Sequence, residues 1–292
     1  MNLFLQNVIN GLNSGSIYAL IAIGYTMVYG IIGLINFAHG EIMMFGAYFA
    51  FIAVTTLGWP VWLVIVFSMV VTAIMGMTIE FIAYRPLRTA PRLSALITAI
   101  GVSIFLQNLA QRIFGANPSV MPKIFPDKIF NFGQIEVHSI TLITIGLSVF
   151  FMALLDLYIN KTKQGRAMRA VSENQNASIL MGINANRIVS LTFAIGSALG
   201  ALGGILYATA YVNISATMGT MPGLKAFVAA VLGGIGSVPG AMLGGFIIGM
   251  VEVLTKAYIS STWADAIVFS ILIVVLLFKP TGILGKNIKE KV

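Results

Sequence analysis

Apolar residues run along this chain in long blocks, not in the short periodic stripes of a soluble protein. A helix needs about 20 mostly apolar residues to cross the hydrocarbon core of a bilayer. Stretches free of formal charge, trimmed at turn residues, provide such lengths repeatedly. They predict spans over 11–34, 42–57, 61–84, 93–113, 138–160, 187–211, 224–257 and 264–280. Gly58-Trp59-Pro60 separates the second from the third. No succession of alternating ten-residue segments indicates a closed barrel, so strands are not expected. The expected fold class is an all-α polytopic membrane protein of about eight transmembrane segments, with glycine-rich interrupted or re-entrant helices. All of 1–292 reads as a single transmembrane domain.

Two interruptions stand out. Gly30-Ile31-Ile32-Gly33 leads into Asn36, His39, Gly40 and Glu41. Further on, Gly233-Gly234-Ile235-Gly236-Ser237-Val238-Pro239-Gly240 packs four glycines and a proline into eight residues. That composition does not sustain a helix interior. It predicts two helices, 224–234 and 241–257, joined by an unwound turn, the first too short for a straight span. Broken helices in corresponding positions of two halves point to a substrate pathway in transporters. The candidate pathway residues are therefore Asn36, His39, Glu41, Gly233, Gly234, Gly236, Ser237, Pro239 and Gly240. Each also has a structural reading. Glu41 would cap the following helix, His39 would be a satisfied buried polar group, and the glycines would allow close helix packing. Glu80 and Glu252 read as interfacial anchors or interhelical hydrogen-bond partners.

Charge sets the orientation. Only 9% of residues are charged, against roughly 25% in a soluble domain, which excludes a water-soluble enzyme or a nucleic-acid-binding domain. The net charge of +8 sits in short blocks. They are Arg85, Arg88 and Arg92; Lys161, Lys163, Arg166, Arg169 and Arg187; and Lys279, Lys286, Lys289 and Lys291. Lys and Arg mark cytoplasmic connections, so all three blocks are placed inside. Segment 114–136 balances Lys123 and Lys128 against Asp127 and Glu136 and reads as an extracytoplasmic loop. Uncharged 212–223 is placed on the same side. Trp59, Trp62, Tyr258 and Trp263 then fall near the outer interface, where amphipathic rings sit well. With 161–187 and the tail both inside, 224–257 must leave and return on one side; the alternative is a tail that lies outside despite its charge. Met1 to Gly40 carries no Lys, Arg, Asp or Glu, so no basic n-region of a signal peptide is present.

The catalytic inventory is poor. There is no cysteine, and His39 and His138 fall on opposite predicted faces. No HExxH pair and no GxxxxGK[ST] phosphate loop occurs. No catalytic, metal-binding or cofactor-binding residue is expected, and the chain is not expected to be an enzyme. The informative polar segment is 161–187. A short helix from Gly165 is interrupted at Ser172-Glu173-Asn174. Asn174 is a natural N-cap for a second helix, Gln175 to Met181, which stops at Gly182. Ala177, Leu180 and Met181 give this helix an apolar face with polar flanks. It would either lie on the membrane surface or dock into a cytoplasmic partner. On residues alone, a partner-driven permease, an ion-coupled secondary transporter and a passive channel for small neutral solutes all remain open.

The runs GSIYALIAIGYTMVYGIIGLINFAHGEIMMFGAY, YRPLR with ALITAIGVSIFLQN, GRAMRAVSENQNASILMGIN, KAFVAAVLGGIGSVPGAMLGG and PTGILG narrow the choice. With them the chain resembles LivH-type permeases of branched-chain amino acid ABC transporters over nearly its whole length, least over 114–136. The resemblance implies a multi-pass protein of a bacterial inner membrane that helps carry Leu, Ile, Val or related hydrophobic amino acids. It implies four kinds of partner: a second related permease, membrane lipid, two cytoplasmic ATPase subunits that use the ATP, and an extracytoplasmic amino-acid-binding protein. It also implies that 165–182 is received by an ATPase, with Gly165, Arg166, Arg169, Glu173, Asn174, Ala177, Leu180, Met181 and Gly182 as coupling residues.

Overall fold

A computed structural model describes residues 2–88, 90–126, 128–132 and 135–285. Asp127, Lys286, Lys289 and Lys291, and the side chain of Arg92, lie outside the described residues. The chain runs through α1 (Asn2–Ile32), α2 (His39–Thr55), α3 (Val61–Ile79), α4 (Arg92–Phe114), a hairpin of β1 (Ile129–Phe132) and β2 (Ile135–His138), and α5 (Ser139–Lys161). It continues through α6 (Lys163–Glu173), α7 (Gln175–Leu180), α8 (Ala185–Tyr211), α9 (Thr220–Gly233), α10 (Val238–Tyr258) and α11 (Ala264–Phe278). After α3 the helix widens into a π turn over Glu80–Tyr84 and a 3₁₀ turn over Arg85–Leu87.

Among the described residues six helical stretches are long and apolar enough to cross a membrane: α1, α3 with its extension, α4, α5, α8 and α10. Three further apolar helices, α2, α9 and α11, are shorter. The protein is thus a helical multi-pass membrane protein in which the expected eight segments become nine apolar helices among the described residues. The extra one arises because 224–257 divides at its glycines. Helix α1 starts nine residues before the expected 11. Its polar first turns are usable because Gln6 exchanges two hydrogen bonds, of 2.9 and 3.1 Å, with the Glu136 backbone in β2. The hairpin corrects the expectation of no strands. Its antiparallel pairing, Phe130 opposite Val137, satisfies backbone groups in the connection between α4 and α5.

Small residues let the backbones of the central helices touch. A Cβ on Gly249 of α10 would lie 2.2 Å from the Gly15 nitrogen of α1, and one on Gly204 of α8 would lie 2.2 Å from the Met43 carbonyl oxygen of α2. Small-residue contacts between Gly76 and Ser197 bring α3 against α8 in the same way.

The described parts of the three basic blocks gather at one end. Arg88 donates to Asn186 at 2.7 Å, joining the end of the α3 extension to the start of α8. The tail is there too. Ile283 and Leu284 donate to the Leu232 and Gly233 carbonyls at 2.8 and 2.9 Å, at the α9–α10 turn. That turn meets the C-terminal end of α1, where the Gly236 amide donates to Thr26 at 2.8 Å. The parity expected for the chain is satisfied: α9 arrives at the basic end, α10 leaves it, and α11 returns. The hairpin, Trp59, Trp62, Tyr258 and Trp263 lie at the opposite end, with all three tryptophans and the tyrosine at least 36% exposed.

Candidate functional site: two facing half-helices and an exposed loop

Helix α1 ends at Ile32, and Gly33 turns the chain in a left-handed conformation, φ +65°. Residues 33–38 then run back into the bundle without helical structure. Helix α2 starts beside Gly24, where a Cβ would lie only 2.3 Å from His39 Nε2. Gly24 stands eight residues before the end of α1, so α2 starts about 12 Å inside the bundle.

From the other end the chain does the reverse. Helix α8 ends at Tyr211, and Val212 takes a left-handed turn, φ 51°. Ser119 and Ile214 hold the next residues by paired backbone bonds of 2.8 and 2.9 Å. The chain then enters the bundle and begins α9 at Thr220. Uncharged 212–223 is therefore not an external loop throughout, because Gly219 reaches Gly40. A Cβ on Gly219 would sit 2.2 Å from the Gly40 carbonyl oxygen, and one on Gly40 would sit 2.4 Å from that of Gly219. Helices α2 and α9 thus meet N-terminus to N-terminus within the bundle. Only glycine at both positions permits this approach.

Each helix N-terminus carries roughly +0.5 elementary charge, and here two face each other. Glu41, in the first turn of α2 and 2% exposed, sets a carboxyl group at their junction. Its Oε1 accepts from Thr220, the first residue of α9, at 3.2 Å and from Ser103 of α4 at 3.4 Å. Its Oε2 is buried with no partner among the described residues. Gln107 adds a 3.3 Å bond to Thr220. His39 is fully buried, edge-on to Tyr25 at 4.7 Å between ring centres. Its ring lies against the α1 backbone, within reach of the Ile21 main chain, and no side chain pairs with its nitrogens among the described residues. Asn36, also buried, accepts from Tyr84 at 2.7 Å through Oδ1.

Asn36, His39 and Glu41 are therefore brought together. Gly233, Gly234, Gly236, Ser237, Pro239 and Gly240 are not with them, because they form the α9–α10 turn at the basic end. There Gly234 and Gly236 have φ of +108° and +87°. Ser237 caps α10 by accepting from the Gly240 amide at 3.1 Å, and Pro239 sits in the first helical turn, where no amide is needed. A narrow crevice lined by Tyr25, Thr26, Phe227 and Ile235 lies between the two groups.

Sequence reasoning missed Gly219, Thr220 and Ser103, and it missed a buried ionic cluster. Lys225 of α9 sits 2.9 Å from Glu252 of α10 and 2.7 Å from Asp265 of α11. Tyr18 of α1 donates to Glu252 at 2.6 Å. Lys225 is the sole formal charge between Arg187 and Glu252, and that isolation was the available signal. The interhelical roles expected for Glu80 and Glu252 hold. Glu80 pairs with Arg88 and accepts from Ser190 of α8 at 2.6 Å.

The loop 161–187 folds much as its residues indicate. Helix α6 begins at Lys163, two residues before Gly165, because Thr162 accepts from the Gly165 amide at 3.0 Å. Gly165 packs against the Ile159 carbonyl, and Arg169 donates to Asn160 at 3.2 Å. Arg166 and Glu173 project outward. Asn174 accepts from the Ala177 amide at 2.9 Å as the N-cap of α7, and Gly182 takes φ +83° beyond its end. Ala177 is exposed, while Leu180 and Met181 are 87% and 83% exposed. These two apolar side chains stand clear of the rest of the chain.

Residues 7–277 match the protein family described as the permease component of branched-chain amino acid transport systems. The chain is 46% identical to the high-affinity branched-chain amino acid transport system permease protein BraD of Pseudomonas aeruginosa, over 99% of this chain and 98% of that protein. It is equally identical, over the same shares, to the permease protein LivH of Escherichia coli K12. Among solved structures it is similar to PsaBC from Streptococcus pneumoniae in complex with Fab. That match has a TM-score of 0.50 at 13% identity, over 95% of this chain and 92% of that one, and bears on the fold alone. The chain belongs to the family of permease components of branched-chain amino acid transport systems.

Proposed function

We propose that the chain is the membrane-spanning permease subunit of an ABC importer in a bacterial inner membrane, carrying Leu, Ile, Val or related hydrophobic amino acids. The observation that carries this reading is the kinship with BraD and LivH over essentially the whole of both chains. A second, related permease completes the pathway. In support, 48% of this chain also matches a probable branched-chain amino acid permease, LivM of Methanocaldococcus jannaschii, at 31% identity. Two ATPase subunits act at the basic, cytoplasmic end, and a binding protein delivers substrate at the hairpin end. The chain itself holds no cofactor; the ATP belongs to its partners.

Asn36, His39 and Glu41 line the pathway at the α2–α9 junction. An amino acid zwitterion carries both signs of charge, and so does this junction: two helix N-termini for a carboxylate and the unpartnered Glu41 oxygen for an ammonium group. The α9–α10 turn forms the cytoplasmic lip of the same path. Helix α7 is the handle. Nucleotide-driven closure of the ATPases displaces Leu180 and Met181, α8 moves with them, and access to the junction changes side. Substrate need distinguish the two states only weakly, because ATP supplies the bias.

The test is uptake of labelled leucine into vesicles holding the purified subunits. Accumulation that requires ATP, both ATPases and the binding protein is expected. Uphill uptake by this chain alone, driven by an ion gradient, would contradict the proposal.

A further inference from the structure

Helix α8 leaves the coupling loop directly, with Asn184 accepting from the Arg187 amide at 3.1 Å to cap it. Two bonds tie its first turns to the end of α3. Arg88 donates to Asn186 at 2.7 Å, and Ser190 donates to Glu80 at 2.6 Å. Glu80 is fully buried and also paired with Arg88. It opens the π turn that ends at Tyr84. Single π turns inside helices recur at functional sites.

Tyr84 is fully buried. Its ring lies 5.4 Å from that of Phe193 on α8, and its hydroxyl donates to Asn36 at 2.7 Å. Asn36 in turn accepts from the backbone N–H of His39, the first residue of α2, at 3.0 Å through its main-chain oxygen. Between α1 and this bond the chain is unwound, and a Cβ on left-handed Gly33 would meet nothing within 4 Å. The start of α2 is therefore moored to the end of α3 by a side-chain bond, in addition to its packing on α1 at Gly24 and Tyr25.

We infer that Tyr84 is a positioning residue. Through Glu80 and Ser190 on one side and Asn36 on the other, it delivers displacement of α8 to the N-terminus of α2, where Glu41 faces α9. The inference rests on the reading of α7 as the helix gripped by an ATPase. Adjacency alone does not establish such a path; coupling energies do.

The test uses the full complex in vesicles and reads leucine taken up per ATP hydrolysed. Tyr84→Phe keeps the ring against Phe193 and removes only the hydroxyl; Ser190→Ala cuts the link at Glu80. Each is expected to lower the ratio at least about 5-fold while subunit co-purification and ATP hydrolysis stay at the wild-type level. Because the two bonds act in series, the double variant loses no more than the worse single variant. Thr78→Ala removes an exposed intrahelical bond on α3 outside the path and leaves the ratio unchanged. A wild-type ratio in Tyr84→Phe or Ser190→Ala overturns the inference. So does a double-variant loss closer to the product of the two single losses than to the larger one. If Tyr84→Phe does not assemble, the ratio for Ser190→Ala decides alone. A wild-type complex that accumulates leucine without hydrolysing ATP would refute the reading of α7; normal wild-type coupling with unaffected variants would refute only the role of Tyr84.

Discussion

Replacing Lys225 with Met would remove the charge that joins α9 to α10 and α11 while keeping most of the side-chain volume. The Lys225 side chain is 7% exposed and that of Glu252 is 3% exposed, with 2.9 Å between their charged atoms. Removing one partner of a buried ion pair costs about 3–5 kcal/mol, because the other charge is left uncompensated. Two features put this site at the lower end. Lys256, 42% exposed, still pairs with Glu252, and Asp265, 41% exposed, is open to water. The expected loss is about 3 kcal/mol, roughly a 150-fold rise in the unfolding constant. Glu252→Gln leaves Lys225 paired with Asp265 and keeps an acceptor for Tyr18, so about 2 kcal/mol is expected. The double variant buries neither charge, so its loss falls short of the sum by about 1–2 kcal/mol. Denaturant titration of the purified protein in mixed micelles, followed by tryptophan fluorescence, gives all three values. A Lys225→Met midpoint equal to wild type, or strict additivity in the double variant, would refute the reading of this cluster as the lock on α9.

Three further outcomes are expected. Gly219→Ala drives a Cβ into the Gly40 backbone at 2.2 Å. It should cost about 1–3 kcal/mol and most of the uptake, whereas Gly101→Ala, with nothing within 4 Å, should change neither. Leu180→Asp combined with Met181→Asp should leave chain stability within about 0.5 kcal/mol, as at other exposed positions, yet abolish ATPase co-purification and uptake. A fluorescent protein fused after Val292 should be cytoplasmic and bright, since residues 282–285 pack at the basic end beside Gly234. A periplasmic, alkaline-phosphatase-active terminus would reverse the assigned orientation.

What could be read from residue order was local. Asn174 and Gly182 bound a helix of six residues because an N-cap and a left-handed stop act within one turn. The apolar blocks became helices because a bilayer leaves backbone groups no other partner. The Gly233–Gly240 break appeared where its glycines stand. Contacts between distant residues were not readable. Gly40 and Gly219 are ordinary glycines until the fold sets their backbones together, and 212–223 looks like any uncharged external connection. Thr220 meets Glu41 across 179 residues, and no periodicity announces that. The β hairpin escaped notice because two four-residue strands are shorter than any barrel pattern. The surroundings of His39, which lies against Gly24, Gly200 and Tyr25, were equally hidden because they come from α1 and α8.

The most direct measurement follows from the absence of cysteine in the chain. Leu180→Cys introduces a single thiol at the tip of α7, to which a short photoactivatable cross-linker can be attached in membranes containing the whole transporter. Illumination should join position 180 to an ATPase subunit, with a yield that changes when ATP is trapped. Active uptake together with an adduct to lipid alone, in every nucleotide state, would contradict the idea that this helix is the grip of a motor.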